Sequence, residues 1–328
     1  MLRLPVFSYL RPGSPVEATQ MLADHGGRAK LVAGGTDLLP KMKRRQLAPE
    51  VLVAIGHLDA LRQLEVSPSG AATLGAGTTL SQALRHPALR EQQPGYLEAV
   101  RVVSTPALRN AGTVGGNLCV DTRCNYYDMT EEWRSAIGFC RKAGGEVCRV
   151  AASSPRCWAV SSSDTAPMAI ALGATALLAG PDGMREVPVA SLYADDGAAY
   201  LALAATEVLT ALRLPASEGW RSAYQKLRRR ASMDFPVASA AVALHLDGPV
   251  VDGCRIVLGA VASHPLEVPS AADLLVGGEL DDDAIDRAAT EAARLAKPLD
   301  NTDLSFPWRK RMVKVIVERA VRQAAGRA

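Results

Sequence analysis

The sequence predicts an α+β protein made of two or three compact units. Its 328 residues suffice for each unit to bury a core, and 48% of them are apolar, which is enough to fill such cores. Short runs with strand character alternate with turns and helices along the chain, and helical periodicity marks its end. Length, composition and pattern therefore all indicate a mixed chain.

The first helix is predicted from the residues that begin and end it. Ser14 is a suitable N-cap, Pro15 takes the first helical position, and Glu17 completes a capping box. We expect the helix to end near His25, because two glycines follow it. Residues 30–33 then have the character of a short buried strand.

A segment of small and polar residues begins at the end of this strand: Ala33, Gly34, Gly35, Thr36, Asp37 and Leu38. Its glycines allow backbone N–H groups to form an anion-binding concavity, its hydroxyl can donate to a phosphate, and its carboxylate can accept from a ribose or from loop amides. It has neither the G-x-G-x-x-G spacing nor a P-loop lysine, so neither a Rossmann nor a nucleoside-triphosphate site is indicated. An ordinary tight turn explains the pattern about as well as a diphosphate site.

The next elements combine a basic helix with short strands. The helix carries Lys41, Lys43, Arg44 and Arg45, and we expect a solvated basic face there, with docking of an acidic partner as the alternative. Strand character follows over residues 51–55, 61–66 and 72–80. Small and hydroxyl residues around Thr78 can pass close to a cofactor. Ser81 is expected to cap a helix through Leu84, and another helix covers Tyr96–Val103.

The segment from Thr105 to Asp164 has the densest chemical signals. Its first part is again rich in glycine and hydroxyls and includes Thr113, Gly115, Gly116 and Asn117. Five of the six cysteines of the chain follow: Cys119, Cys124, Cys140, Cys148 and Cys157. Backbone that can approach a phosphate or a flat ring thus lies beside soft thiolate ligands, which suggests two redox centres held by one segment.

The spacing of the cysteines leaves several interpretations open. The start of the chain lacks a secretory signal, so we expect a cytoplasmic protein whose thiols are metal ligands or catalysts rather than disulfides. The last four are separated by 15, 7 and 8 residues, which is neither a C-x-x-C zinc pattern nor the tight ferredoxin pattern. An iron–sulfur cluster, a zinc site and unrelated buried cysteines all remain possible on spacing alone.

The residues between these cysteines weaken the third interpretation. They are rich in Asp, Glu, Arg and Lys, whereas a free cysteine prefers an apolar core. Something other than hydrophobic burial should therefore order the segment. Five aromatic residues can shield a cluster from water or simply pack the loop: Tyr126, Tyr127, Trp133, Phe139 and Trp158.

The rest of the chain continues the mixed pattern. A short helix is predicted over Met168–Ala174, and strands over residues 176–179, 187–189 and 207–214. A boundary is expected at residues 215–219. Beyond it, the sequence predicts strands over residues 222–228, 237–244 and 253–259 and helices over residues 283–295 and 307–325.

Composition argues against two classes of partner. The net charge is only +3, so nothing indicates binding to nucleic acid or to a membrane surface. No apolar run reaches the roughly 20 residues that a membrane span requires. The chain also contains no repeat of fixed period.

Four motifs in order make the chain resemble a known family. They are residues 33–38, residues 75–80, the T-P…R-N…T-V-G-G-N-L pattern of residues 105–118, and residues 163–167. Together they resemble the FAD-binding medium subunit of the molybdenum hydroxylases, which include xanthine dehydrogenase and carbon monoxide dehydrogenase. The resemblance implies a two-subdomain FAD-binding fold of the vanillyl-alcohol-oxidase/PCMH type over residues 1–217. A small α+β C-terminal domain of the CO dehydrogenase flavoprotein type would cover residues 218–328.

The cysteine-rich insert, at about residues 119–160, narrows the resemblance. It is similar to the β subunit of 4-hydroxybenzoyl-CoA reductase, where four cysteines hold an extra 4Fe–4S cluster. By this resemblance the metal ligands would be Cys124, Cys140, Cys148 and Cys157. Cys119 would then be a spare thiol, and Cys254 is expected in the core of the second domain.

The resemblance also implies an FAD site. Asp164 would hydrogen-bond the flavin, and Lys226 matches a lysine that lies near the flavin, although a surface lysine on an edge strand explains it nearly as well. The diphosphate and ribityl chain would be surrounded by Gly34, Gly35, Thr36, Thr113, Gly115, Gly116 and Asn117. No residue of this chain is expected to be catalytic.

The implied function is electron transfer within a complex. Ferredoxin would reduce the 4Fe–4S cluster, and FAD would pass electrons to 2Fe–2S clusters on a small subunit and to a molybdopterin-binding large subunit. In the resembled reductase this removes the phenolic hydroxyl of 4-hydroxybenzoyl-CoA, and the complex is a dimer of heterotrimers. Two alternatives remain: the FAD subunit of an NAD- or quinone-linked hydroxylase, and a zinc-stabilised interaction subunit.

Overall fold

The structure, a computed structural model, describes residues 3–327. Its strands are β1 (Ser8–Leu10), β2 (Ala29–Val32), β3 (Val51–Ala54), β4 (Leu64–Val66), β5 (Ala72–Gly75), β6 (Thr175–Gly180), β7 (Gly183–Pro188), β8 (Val208–Leu214), β9 (Trp220–Leu227), β10 (Ala238–Asp247), β11 (Val250–Gly259) and β12 (Leu266–Glu267). Its α-helices are α1 (Pro15–His25), α2 (Leu38–Lys43), α3 (Leu80–Arg85), α4 (Pro87–Gln92), α5 (Pro94–Arg101), α6 (Pro106–Arg109), α7 (Val114–Leu118), α8 (Glu131–Ala136), α9 (Thr165–Leu172), α10 (Pro269–Ala272), α11 (Asp282–Leu295) and α12 (Phe306–Ala324). The α+β class predicted from the sequence is confirmed.

The N-terminal part of the chain builds a small parallel sheet with the order β1-β3-β2. Helix α1 covers one face of this sheet with Ala18 and Leu22, which share a core with Val53. On the other side, Met42 of α2 packs against Leu52. The loop between β2 and α2 therefore lies at the carboxyl end of a parallel strand, where ligands commonly bind.

A five-stranded antiparallel sheet follows, with the order β4-β5-β8-β6-β7. Helix α7 contacts β5 and β8 of this sheet, and Tyr96 of α5 and Met168 of α9 share its core with Leu74 and Leu212. Between β5 and β6 the chain leaves the sheet for about a hundred residues, and this excursion contains α3 to α9 and the cysteine-rich insert.

The C-terminal unit is an antiparallel sheet with the order β12-β11-β10-β9. Helix α12 packs on β9 and β10, and α11 packs on α12, so that the small and branched residues of both helices share one core with the sheet. Helix α9, which belongs to the N-terminal part of the chain, contacts β10 and β11 and therefore packs on the C-terminal sheet. Cys254 lies on β11 and is only partly buried at the margin of this core, whereas the sequence predicts a core position for it.

Two predicted caps differ in detail from the structure. Ser14 accepts from the Glu17 N–H as predicted, but the Glu17 carboxylate accepts from the Gly13 N–H, 2.6 Å away, and not from the cap itself. Helix α3 is capped by Thr79 and not by Ser81, because Gln82 completes a capping box with Thr79. None of the helices in residues 3–327 is both long and apolar enough to cross a bilayer.

Candidate functional site

Close backbone contacts bring the glycine-rich segments together. A Cβ on Gly34 would lie 1.9 Å from the Ala111 carbonyl oxygen, so only glycine allows the loop after β2 to touch the loop before α7. A Cβ on Gly115 would lie 2.7 Å from that of Ala76, so α7 also packs on the segment that follows β5. Three glycine-rich segments that are far apart in sequence therefore pack directly against one another.

Backbone hydrogen bonds fix the relative positions of these segments. The Val114 N–H donates to the Thr78 carbonyl oxygen at 2.9 Å, and the Gly115 N–H donates to Ala76 at the same distance. Thr78 is buried. Thr113 caps α7, and its hydroxyl accepts from the Gly116 N–H at 3.0 Å. The hydroxyl predicted to meet a phosphate thus also holds the turn in place.

Asn117 connects the third motif to the fourth. Its Oδ1 accepts from the Thr165 hydroxyl at 2.7 Å, from the Thr165 N–H at 3.2 Å and from the Ser163 hydroxyl at 3.0 Å. This single oxygen anchors the residues on both sides of Asp164 at the start of α9. Asn117 is therefore primarily a positioning residue in this structure.

Asp164 forms a buried ion pair with Lys226. The Lys226 ammonium lies 2.8 Å from Asp164 Oδ2, and the Tyr224 hydroxyl donates to Asp164 Oδ1 at 3.0 Å. The two charged side chains are 2% and 3% exposed. Burial raises the pKa of Asp164 and lowers that of Lys226, and each charge opposes the shift of the other. β9 is an edge strand, but Lys226 is not a surface lysine.

The loop after β2 carries a carboxylate that forms an ion pair with a distant part of the chain. Asp37 pairs with Arg123, whose guanidinium also stacks 4.2 Å from the Phe235 ring centroid. Thr36 lies close to Gly112, and Gly35 accepts from the Leu39 N–H at 3.1 Å. Ala33 and Leu38, at the two ends of this loop, pack against the small N-terminal cores.

The basic face predicted on α2 is wrong for Lys41. This side chain is fully buried, and its ammonium pairs with Asp121 at the start of the insert. Burial lowers the pKa of Lys41, although Asp121 opposes the shift. The sequence pattern did not identify this contact, because the partners are 80 residues apart. Lys41 is therefore not available for docking, whereas Lys43 is exposed.

The four cysteines of the insert are buried and lie close together. Cys124, Cys140 and Cys157 belong to one small core, and Cys148, which is 4% exposed, is close enough to Cys157 to interact with it electrostatically. None forms a disulfide. Burial raises the pKa of the Cys124 thiol to about 12 and that of Cys157 to about 11. Cys119 lies outside this core, with a pKa raised by burial to about 12.

Short contacts tie the insert to both units. Arg123 and Val160 exchange backbone hydrogen bonds of 2.9 and 2.8 Å and so close its base. The Asn125 N–H donates to the Asn301 carbonyl oxygen, and the Asn301 amide donates to the Trp158 carbonyl oxygen. Of the aromatic residues, Tyr127 lies in the cysteine core, whereas Trp133 is 36% exposed.

The donor set fits an iron–sulfur cluster in kind. Four free and buried cysteines supply soft donors, and in a 4Fe–4S cluster each of four cysteine sulfurs binds a different iron. Within residues 3–327, no group of three or more His, Cys, Asp or Glu side chains is arranged to hold a metal ion. The glycine-rich segments likewise fit a flavin dinucleotide in kind, because small residues with the hydroxyls of Thr36 and Thr113 are the residue types that bind a diphosphate, whereas the close contacts at Gly34 and Gly115 are made to other parts of the chain.

The sequence does not indicate the roles of two charged residues in this region. Lys142 and Asp121 form a buried ion pair at 2.6 Å beside the cysteine core. Burial alone would raise the pKa of Asp121, but Lys142 and Lys41 outweigh burial and lower it. Both residues are charged members of a polar insert, and no periodicity distinguishes them from exposed neighbours.

Comparisons with known proteins agree with this geometry. Residues 5–217 match the family described as the FAD binding domain in molybdopterin dehydrogenase, and residues 222–324 match the CO dehydrogenase flavoprotein C-terminal domain. The carbon monoxide dehydrogenase medium chain of Afipia carboxidovorans is 31% identical over 98% of both chains.

Solved structures extend the likeness to the whole fold. Carbon monoxide dehydrogenase from Hydrogenophaga pseudoflava aligns with a TM-score of 0.82 at 28% identity, over 99% of both chains. Quinoline 2-oxidoreductase from Pseudomonas putida 86 aligns with a TM-score of 0.77 at 26% identity, again over 99% of both chains. The predicted combination of an FAD-binding domain with a small C-terminal domain is confirmed.

Proposed function

The chain belongs to the family of FAD-binding domains in molybdopterin dehydrogenase, and on this premise we propose that it is an electron-transfer subunit with both FAD and a 4Fe–4S cluster. At the coarser level it is an FAD-binding oxidoreductase subunit of a molybdenum hydroxylase complex. The cluster, its ligands and the reaction of the complex are the proposed part.

The observation that carries the proposal is the gathering of four buried cysteines. They lie on a polar insert with no extended apolar core of its own, yet each is at most 6% exposed. Hydrophobic burial gives little reason to collect thiols in such a segment. Four thiolates around an inorganic core give a stronger reason, because a cluster orders the loop that ligates it. The proposed ligands are Cys124, Cys140, Cys148 and Cys157.

The proposed FAD site lies along the three glycine-rich segments that pack together. The N–H groups around Gly34, Gly35 and Gly116 would face the diphosphate, and the hydroxyls of Thr36 and Thr113 would add donors. The same site would also be lined by Ala33, Asp37, Leu38, Thr78 and Gly115. Asn117 and Lys226 would hold Asp164 at the flavin edge, since both contact its segment directly.

Together, FAD and the cluster would convert two-electron transfer into one-electron transfer, because a flavin exchanges one or two electrons and an iron–sulfur cluster exchanges one. The residues of this chain bind the two groups, exclude water from them and set their electrostatic surroundings. The insert meets the flavin loop through the Asp37–Arg123 pair and the Lys41–Asp121 pair. The two proposed sites are therefore linked by direct side-chain contacts.

The proposal extends to the complex. We place the chain between a 2Fe–2S small subunit and a molybdopterin-binding large subunit, in a cytoplasmic dimer of heterotrimers with ferredoxin as electron donor. The reaction would be the reductive dehydroxylation of 4-hydroxybenzoyl-CoA, as the similarity of the insert implies. The domain boundary would lie at residues 217 and 218, with the insert at about residues 119–160.

A second candidate function follows from the relatives. The similar proteins include a carbon monoxide dehydrogenase and a quinoline oxidoreductase. A subunit that delivers electrons from such a hydroxylase to NAD or a quinone would need FAD but no extra cluster. In that case the purified complex would reduce NAD or a quinone with a hydroxylation substrate and would not depend on ferredoxin or a viologen.

The decisive experiment is metal and flavin analysis of the complex purified with its partner subunits. We expect one FAD and about four iron atoms per copy of this chain beyond those of the small subunit. In the Cys140→Ser variant that extra iron should be lost while FAD remains. Cys254→Ser, outside the insert, is the matched control and should keep both.

Each other result has a definite meaning. Unchanged iron in Cys140→Ser would refute the ligand assignment. Zinc in place of the extra iron would favour a zinc-stabilised interaction subunit. FAD without any extra iron would favour the second candidate function.

A further inference from the structure

We propose that Arg123, at the base of the cysteine-rich insert, is a positioning residue of the FAD site, because its guanidinium neutralises the Asp37 carboxylate in the loop after β2. This inference rests on the proposed function, since it assumes that FAD lies along that loop. It does not depend on the cluster that we propose for the insert. It adds to the FAD site a residue that lies outside the glycine motifs.

The backbone of Arg123 is fixed where the insert begins. Its N–H donates to the Val160 carbonyl oxygen at 2.9 Å, and its carbonyl oxygen accepts from the Val160 N–H at 2.8 Å. Its side chain is 10% exposed, and the guanidinium lies 4.2 Å from the ring centroid of Phe235. A stacked guanidinium that is anchored at its backbone has little freedom to move, so its charge stays at one position.

The contact between Arg123 and the loop after β2 is direct. The guanidinium donates to Asp37 Oδ1. Asp37 is the N-cap residue of α2, but its side chain makes no capping hydrogen bond, so its carboxylate is engaged by the insert instead. Asp37 directly follows Thr36, whose hydroxyl is a proposed donor to the diphosphate. An unpaired carboxylate at this position would repel a diphosphate, and the guanidinium offsets that repulsion.

A second cation cannot fully replace Arg123 beside this carboxylate. Lys41 of α2 lies 3.8 Å from Asp37 and also pairs with Asp121 of the insert, so it shares one charge between two carboxylates. Arg123 is the closer of the two cations to Asp37. Loss of its guanidinium should therefore leave Asp37 with a more distant and shared partner.

Other contacts hold the insert against α2 without Arg123. The Gln46 amide donates to the Tyr127 carbonyl oxygen at 2.8 Å, and the Arg134 guanidinium donates to the Arg44 carbonyl oxygen at 3.0 Å. We therefore expect the insert to stay in place when only the side chain of Arg123 changes. A loss of FAD affinity in such a variant would then report the charge of the loop carboxylate and not the release of the insert.

The test is a titration of FAD into the complex, purified with its partner subunits and freed of flavin, followed by flavin fluorescence. In Arg123→Met the Kd for FAD should rise about tenfold, because an uncompensated carboxylate then lies beside the diphosphate. Arg123→Lys keeps the charge and should lose less affinity than the methionine variant. Lys43→Met, which removes an exposed cation from α2, is the control and should leave the Kd unchanged.

A double variant separates electrostatics from structural damage. Asp37→Asn combined with Arg123→Met removes both charges, so the Kd should return to within about threefold of the wild-type value. A tenfold loss in the double variant as well would overturn the inference, as would an unchanged Kd in Arg123→Met or an equal loss in Lys43→Met. If Arg123→Met does not assemble, the Kd of the double variant decides between the same two results.

Failure of the proposed function would look different. A wild-type complex that binds no FAD would refute that function itself. Wild-type FAD affinity in Gly34→Ala would refute the placement of FAD along the loop after β2. Loss of affinity in Gly34→Ala but not in Arg123→Met would leave the proposed FAD site in place and overturn only this inference.

Discussion

The ammonium of Lys226 and the carboxylate of Asp164 lie 2.8 Å apart in a site where neither side chain is more than 3% exposed. The pair joins β9 of the C-terminal sheet to the start of α9 in the first unit. Lys226 also donates to the Val102 carbonyl oxygen at 3.0 Å, and Tyr224 donates to the same carboxylate. The edge of the proposed flavin site therefore depends on a contact between the two domains.

Replacement of Lys226 by methionine should strongly destabilise the protein. The variant keeps the length of the side chain but leaves Asp164 buried without its cation, which costs about 3–5 kcal/mol of unfolding free energy. Denaturant unfolding monitored by circular dichroism measures the loss. Lys314→Met is the control, because Lys314 forms a partly exposed pair with Asp286 and its loss should cost at most about 1 kcal/mol.

The same variant should acquire a distinctive pH dependence. Burial raises the pKa of Asp164 above 3.8, and loss of Lys226 removes the charge that opposes this shift. A carboxyl with a raised folded-state pKa binds more protons when folded, so the stability of the variant should fall as pH rises from 4 through that raised pKa. A pH profile parallel to that of the wild type would contradict the assignment of Asp164 as the orphaned charge.

Gly34→Ala should distort the proposed FAD site. The new Cβ would lie 1.9 Å from the Ala111 carbonyl oxygen, so the two loops must separate. We expect FAD content to fall several-fold and unfolding free energy to drop by about 1–3 kcal/mol, as for an overpacked contact. Gly27→Ala is a matched control, because nothing lies within 4 Å of its Cβ position. Equal FAD content in the two variants would show that this contact does not shape the site.

Asn117→Ala should lose more than Asn117→Asp. Alanine leaves the donors of Ser163 and Thr165 without their shared acceptor, at a cost of about 1–3 kcal/mol. Aspartate keeps an acceptor oxygen at that position, so the start of α9 should remain ordered in Asn117→Asp. Thermal unfolding and the FAD content of both purified variants decide the point. If the two variants behave alike, the acceptor role of Oδ1 is not what matters.

Arg309→Met should destabilise the protein and weaken the contacts that hold the cysteine-rich insert, although Arg309 lies outside the insert. The buried guanidinium donates to the carbonyl oxygens of Val237, Ala260 and Leu299 at 2.7–2.8 Å, and also contacts Asn301, which holds Trp158. Burial lowers its pKa to about 10. We expect a loss of at least about 3 kcal/mol, because several buried acceptors lose their donor.

The variant should also expose the cysteine pocket. In metal-free protein, Cys140 and Cys148 should become more accessible to a thiol reagent, which mass spectrometry after mild alkylation can measure. Arg311→Met, on an exposed position of the same helix, should change neither stability nor alkylation. Faster alkylation in Arg311→Met as well would mean that the insert is not held through Arg309.

Much of the fold could be predicted from local signals. Ser14 and Pro15 begin α1 as expected, Gly173 ends α9, and the long C-terminal helices follow their apolar periodicity. Short elements were missed, namely β1, α4, α6, α7, α8, β12 and α10. They have six residues or fewer, so they contain at most two helical turns and show no period.

Part of the candidate site could likewise be predicted from the sequence, and part could not. Glycine motifs in a fixed order and four cysteines in a polar insert can be recognised along the chain, because each depends on residue type and spacing. Asn117 is predicted to surround the cofactor diphosphate, and the structure adds a role that its sequence position does not indicate, because its oxygen accepts from Ser163 and Thr165. Lys41 was expected in solvent and is buried instead.

The sequence by itself determined the family, the order of the motifs and the residues available as ligands. Only the tertiary structure decided which charges are buried and which partners they have. The physical reason is that the pairs of Lys41 with Asp121, Arg123 with Asp37 and Lys226 with Asp164 join residues 62 to 86 positions apart. Periodicity describes neighbours within a few residues, whereas burial and pairing of charge depend on the path of the whole chain.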